Sequence, residues 1–180
     1  MRQAQDVIDF WFVQHGKDDW FGGRPEFDAA LAAGFADTHP AVARGEAWQW
    51  RTTPEGRLAE IIVLDQFSRQ LHRGSPDAFA QDKMALVLAQ EAIAAGADQA
   101  LPLERRMFVY MPFMHAESLV NQEEGVSLFA PFEPELQKFM TGHRDTIARF
   151  GRFPFRNQAL GRASSSDEVA YMAEQGDRVF

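Results

Sequence analysis

The sequence predicts an all-α protein, a single domain over residues 1–180, and three observations carry that prediction. Apolar residues recur at helical spacing along most of the chain. No segment alternates apolar and polar residues long enough to argue a strand. Helix start and stop residues punctuate the pattern in the right order. The pattern gives roughly eight to ten helices, with short connections that favour antiparallel neighbours.

Taken in order, Val7, Ile8, Trp11 and Phe12 mark a first helix that Gly16 can stop. Pro25 stands at a first helical position and is followed by Phe27, Leu31 and Phe35 on one face. Thr53-Pro54-Glu55 combines an N-cap, a first-turn proline and a first-turn acid, and opens a helix expected to run to about Gly74. Ser75-Pro76-Asp77 opens the next in the same way, expected to reach Gly96. "LERRMFVYM" after Pro102 reads as a helix that Pro112 interrupts. "AESLVNQEEGVSLF" and "PELQKFMTGHRDTIARF" follow as two more, the second closed by Gly151. In the tail, Ser165 with Glu168 forms a capping box, and Gly176 is a stop. "FWF", "DWF" and the "WQW" of Trp48 and Trp50 read as core and interhelix packing.

Composition narrows the function classes. The chain has 180 residues, a net charge of −8 and no cysteine. Thiolate catalysis, disulfides and cysteine-ligated zinc are therefore excluded, and a reducing, cytoplasmic setting fits. The acidic balance opposes nucleic-acid binding, which draws on a basic surface. Asp6 and Asp9 interrupt the N-terminal apolar stretch, so it does not read as a signal peptide, and no apolar run approaches the ~20 residues of a membrane span.

The stretch "LDQFSRQLHRG" (residues 64–74) poses the functional question. At about 100° per residue, Leu58, Ile61, Ile62, Asp65 and Arg69 share one face, while Val63, Leu64, Phe67 and Leu71 fill the other side. A helix apolar nearly all round is a buried one. Asp65 and Arg69 then form an i, i+4 pair inside it. The pair reads either as an internal staple or as the polar floor of a cavity, with Gln66, Arg69 and Arg73 facing a ligand.

"LDQFSRQLHRG", "MPFMHAESLVNQE" and "RFGRFPFRNQALGR" together resemble the bacterial DUF924 family, in a match that also takes in "VIDFWF" and "DWFGG". The resemblance implies a tetratricopeptide-like array of antiparallel helix pairs and no particular activity. Two positions depart from the family pattern: Ser68 stands where the family usually has proline, and Phe155 where it usually has histidine.

His115, two residues before Glu117, is a candidate polar or acid–base group. A metal site would have to assemble from His115, Glu117, Glu123 or His143 on separate helices; neither a metal nor a cofactor is expected, since H-E-x-x-H, P-loop, G-x-S-x-G and dinucleotide motifs are absent. Arg144, Arg149, Arg152, Arg156 and Arg162 crowd one segment that holds a single acid, Asp145. This reads either as a loop pinned by arginine–acid pairs or as a site for an anion.

The resulting expectation is a helical binding module whose Arg69, Arg73, Arg152 and Arg156, with Asn157, Gln66 and Gln122, hold an anionic small molecule or an acidic peptide. One alternative is a small-molecule enzyme using Asp65 or His115 as acid–base beside an arginine clamp. Another is a structural, homo-oligomeric role with these residues as staples. Nucleic-acid and membrane partners are not expected.

Overall fold

The structure, a computed structural model, describes residues 1–21 and 23–176, which leaves Gly22 of "DWFGG" outside. It is all-α, with no strand among those residues. Its chain contacts fall into two compact units, described separately: residues 1–73 with 77–109, and residues 74–76 with 110–180.

The N-terminal unit contains α1 (Ala4–Asp9), α2 (Lys17–Trp20), α3 (Pro25–Phe35), α4 (Thr38–Ala43), α5 (Pro54–Ile62), α6 (Ser68–Leu71), α7 (Asp82–Ala94) and the start of α8 (Leu103–Met114). Pro25 and Pro54 each stand in the first helical turn, where a missing N–H costs nothing. The Thr53 hydroxyl accepts the Gly56 N–H at 3.1 Å, as the sequence signal requires. α5 packs against α1 and α7, and residues 58–68 are buried without a break. The all-round apolar pattern therefore identified the central helix correctly. An aromatic cluster of Phe10, Trp11, Trp20, Phe27, Phe35 and Phe67 packs in the same unit.

Several expectations need correction. The helix opened by Thr53 widens into a π-helical turn at Val63–Phe67 before α6 resumes. Phe10–Gln14 is π-helical too. Such turns are rare and cluster at functional or strained positions. In the turn holding Asp65, side chains take up backbone carbonyls: Ser68 Oγ donates to Leu64 O at 2.6 Å and Arg69 Nη1 to Asp65 O at 2.6 Å. Ser75-Pro76-Asp77 opens only a 3₁₀ turn, Pro76–Ala78, and α7 starts at Asp82. Pro112 lies inside α8 instead of ending it, because it falls in the last turn, where only one internal hydrogen bond is lost. Trp50 is buried as expected, but Trp48 is 62% exposed, so half of "WQW" is not core.

α4 brings His39 against the central helix. Its Nε2 lies 2.7 Å from Ser68 Oγ. The Ser68 hydroxyl hydrogen is already directed to Leu64 O, so His39 is the donor and its Nε2 carries the proton. Burial pushes the His39 imidazole down to about 4, and the nearby His72 adds to the shift while Asp77 opposes it. A histidine with a depressed folded value favours the folded state fully above its ordinary 6.5, and that contribution is lost as pH falls toward about 4. The contribution is about 3 kcal/mol. A His39→Gln variant, which keeps a donor for Ser68, is expected to converge with the wild type in urea-melt stability across that window. Parallel pH curves for the two proteins would contradict this assignment.

The C-terminal unit contains the end of α8 from Tyr110, then α9 (Leu119–Phe129), α10 (Pro134–Phe150) and α11 (Ser166–Gln175). α9 and α10 pack against each other across a short connection at 130–133. Gly151 ends α10 at φ 69°, a left-handed conformation that glycine adopts without strain. The capping box of α11 forms in both directions: Ser165 N–H donates to Glu168 Oε2 at 2.8 Å and Glu168 N–H to Ser165 Oγ at 3.2 Å. Between α10 and α11 the chain makes one 3₁₀ turn, Pro154–Arg156, with Phe153 fully buried. No helix among the described residues is long and apolar enough to cross a membrane.

Candidate functional site

The residues singled out by sequence fall into two groups, one in each unit. In the N-terminal unit, Asp65 is 1% exposed, and its carboxylate lies 3.2 Å from Arg69 Nη1. The guanidinium also forks onto Asp82, at 2.9 and 3.1 Å, a partner that the i, i+4 spacing does not announce. Burial pulls the Arg69 pKa down, but the fields of Asp65 and Asp82 and the Asp82 hydrogen bond outweigh it and leave it raised. Gln66 Nε2 donates to Asp65 Oδ2 at 2.5 Å. Arg73 is paired with Asp28 at 3.0 Å on the surface.

In the C-terminal unit the histidine segment and the arginine-rich loop meet. Arg156 Nη2 donates to the His115 carbonyl at 3.1 Å, and its guanidinium lies 4.5 Å from the centre of the Phe153 ring. His143 packs its ring 5.5 Å from Phe153 and directs Nδ1 at Phe139 O, 2.8 Å away, so Nδ1 bears the proton. The His115 and His143 rings are 6.4 Å apart. Gln122 Nε2 donates to Met114 O at 2.7 Å and Ala116 O at 2.8 Å, finishing the end of α8. Arg152 makes a bidentate pair with Glu168, at 2.7 and 2.8 Å, and that fork, with the Ser165 N–H, holds the Glu168 carboxyl at about 2.

The densest element of the loop is Glu117 with Arg162. Nη1 and Nη2 of Arg162 bind Oε2 and Oε1 of Glu117 at 2.8 and 2.9 Å. Arg162 Nε donates to Asn157 Oδ1 at 2.9 Å, and Nη2 also reaches Phe153 O at 3.0 Å. Glu117 Oε1 in turn accepts the Phe153 N–H at 2.8 Å. Burial raises the Glu117 pKa, but the Arg162 fork, the Phe153 N–H and the fields of Arg162 and Arg156 more than reverse that, so it stays ionised below the usual carboxylate range.

Arg162 also lines a cleft of about 420 Å³, together with Pro154, Phe155, Gln158, Ser164 and Met172. Outside it, the exposed Arg149 lies over the Phe150 and Tyr171 rings, and Tyr171 touches Phe155. The N-terminal unit has a cleft of about 340 Å³ whose lining includes Asp6, Asp9 and His15 with the single cation Arg2. Among the described residues no group of three or more metal-ligating side chains comes together.

A model of the bacterial protein family of unknown function DUF924 matches residues 7–176. The chain belongs to the DUF924 family. A solved structure, that of the protein of unknown function ATU0120 from Agrobacterium tumefaciens, is 39% identical, with a TM-score of 0.91 over 95% of this chain and 97% of that one. Comparison with curated proteins gives no match.

In this DUF924 protein Arg162 stands out in the sequence only as one of five crowded loop arginines, outside the expected ligand-holding set of Arg152, Arg156 and Asn157, yet it is the arginine that lines the cleft. The sequence reading also missed the bidentate pair of Arg51 with the fully buried Glu60, both contacts at 2.7 Å. The available signal for Glu60 was its position, an acid inside a helix apolar all round. Ser68, one of the departures from the family pattern, is the hydroxyl that joins His39 to Leu64 O, a contact proline cannot make.

Proposed function

We propose that this DUF924 protein is a non-catalytic binding module for a small anionic ligand, and that the cleft beside the arginine-rich loop of the C-terminal unit is its site. The cleft itself carries the reading: at about 420 Å³ it has the size of a small-molecule pocket, with an arginine in its wall. Phe155, Pro154 and Met172 supply apolar surface, and Gln158 and Ser164 supply hydrogen bonds. The acidic cleft of the N-terminal unit suits an anion poorly. Arg69, Arg73 and Arg152 are, like Arg162, engaged by carboxylates of the same chain, but of these four only Arg162 lines the cleft, which favours a structural role for the other three. A tetratricopeptide-like arrangement of the helix pairs would present such a cleft on an open face.

Native mass spectrometry of freshly purified protein tests this. The expected spectrum contains an adduct of small-molecule mass, and Phe155→Asp, which places a carboxylate on the cleft wall, loses it. An adduct retained at full occupancy by Phe155→Asp, or bare chain alone from several expression conditions, would count against the site.

A further inference from the structure

We infer that Glu117 is a built-in competitor for Arg162, and that the ligand of the cleft carries a carboxylate that takes its place on the guanidinium. This rests on the cleft being the binding site. Arginine presents a planar fork that matches one carboxylate, and the fork of the arginine that lines the cleft already holds one. Arg162 and Glu117 are both only partly covered, at 23% and 27% side-chain exposure, so their bond is within reach of a solute. Both ends can part without leaving a buried charge stranded. Glu117 keeps the Phe153 N–H and remains in the field of Arg156. Arg162 keeps Asn157 Oδ1 through Nε and Phe153 O through Nη2, so the guanidinium stays where it is while its carboxylate is exchanged.

The exchange also states what the ligand looks like. The cleft that Arg162 lines has Phe155, Pro154 and Met172 in its wall, so the carboxylate is attached to a flat or compact apolar body. Gln158 and Ser164 can bond a second polar group on it. A phosphate monoester is a poorer fit, because Glu117 stays nearby and repels a second negative charge.

The probe is benzoate, with benzamide as the uncharged control of the same shape, titrated at constant ionic strength. The side-chain N–H signals of Arg162 and Gln158 are followed by NMR. Benzoate is expected to shift both signals, and Glu117→Gln, which keeps a carbonyl for the Phe153 N–H, is expected to bind it about tenfold more tightly. Glu117→Asp, shorter but still charged, should fall between the two, and it serves if Glu117→Gln folds poorly. Benzamide should gain nothing from either change. Benzoate binding of equal or lower affinity in both Glu117 variants overturns the competitor role while leaving the cleft as a site. No shift of either signal in any of the three proteins overturns the cleft reading, and this inference with it.

Discussion

Replacing Gly56 by alanine is expected to unfold the N-terminal unit or bring it to the edge of unfolding. A Cβ at that position would lie 1.9 Å from the carbonyl oxygen of Trp50, 2.7 Å from its carbon and 3.0 Å from Thr53 Oγ1. The first two are backbone atoms of the 3₁₀ turn Trp48–Thr52, and Thr53 is the cap of α5, so no rotamer change relieves the overlap. α5 must slide off the turn, and that movement also pulls Arg51 away from the buried Glu60. Overpacking that side chains can absorb costs about 1–3 kcal/mol, and backbone against backbone should exceed it, at about 4 kcal/mol or more. Gly125→Ala is the control. Its Cβ meets the end of Met140, 2.8 Å from Cε and 2.9 Å from Sδ, and that flexible side chain can give way. Urea melts of the two variants should differ by at least a factor of two in lost stability. A Gly56→Ala protein within about 1 kcal/mol of wild type would mean that α5 does not seat on Trp50 as described.

Arg69→Met is expected to cost about 3–5 kcal/mol, because it removes a cation that pairs with both Asp65 and Asp82 while Asp65 stays buried. It also takes the donor from Asp65 O inside the π-helical turn. The double variant Asp65→Asn, Arg69→Met removes the buried charge as well as its partner, and should recover a substantial part of the loss. That pattern, severe alone and milder together, is the mark of a structural pair. A single variant as stable as the wild type would contradict the staple reading and return Asp65 to consideration as a functional carboxylate.

The legible parts of the fold are those that local chemistry decides. Proline in the first turn of α3, α5 and α10, the Ser165–Glu168 box and Gly151 each mark a helix end correctly, because caps act within four residues of themselves. The central buried helix was legible because its apolar residues occupy every side. The π-helical turns were not, since their bonding register depends on which side chains arrive to take the freed carbonyls. α4 was missed because Pro40 lies inside it and its few residues show no clear period.

The candidate site was legible as chemistry and not as geometry. The excess of arginine in the loop was visible, and so was Glu117. Their pairing spans 45 residues of sequence, and nothing local selects Arg162 over Arg152 as the partner of Glu117. Arg152 goes instead to Glu168, the acid of the capping box, whose second role is invisible without coordinates. Asp82 was hidden in the same way, as a second carboxylate on an arginine already assigned to Asp65.

The most direct measurement is a crystal structure of the protein grown with benzoate. The account predicts the benzoate carboxylate at about 2.7–2.9 Å from both Nη atoms of Arg162, its ring against Phe155, and Glu117 turned off the fork. Benzoate bound at another arginine, or an empty cleft with the Arg162–Glu117 bond intact at saturating benzoate, would contradict it.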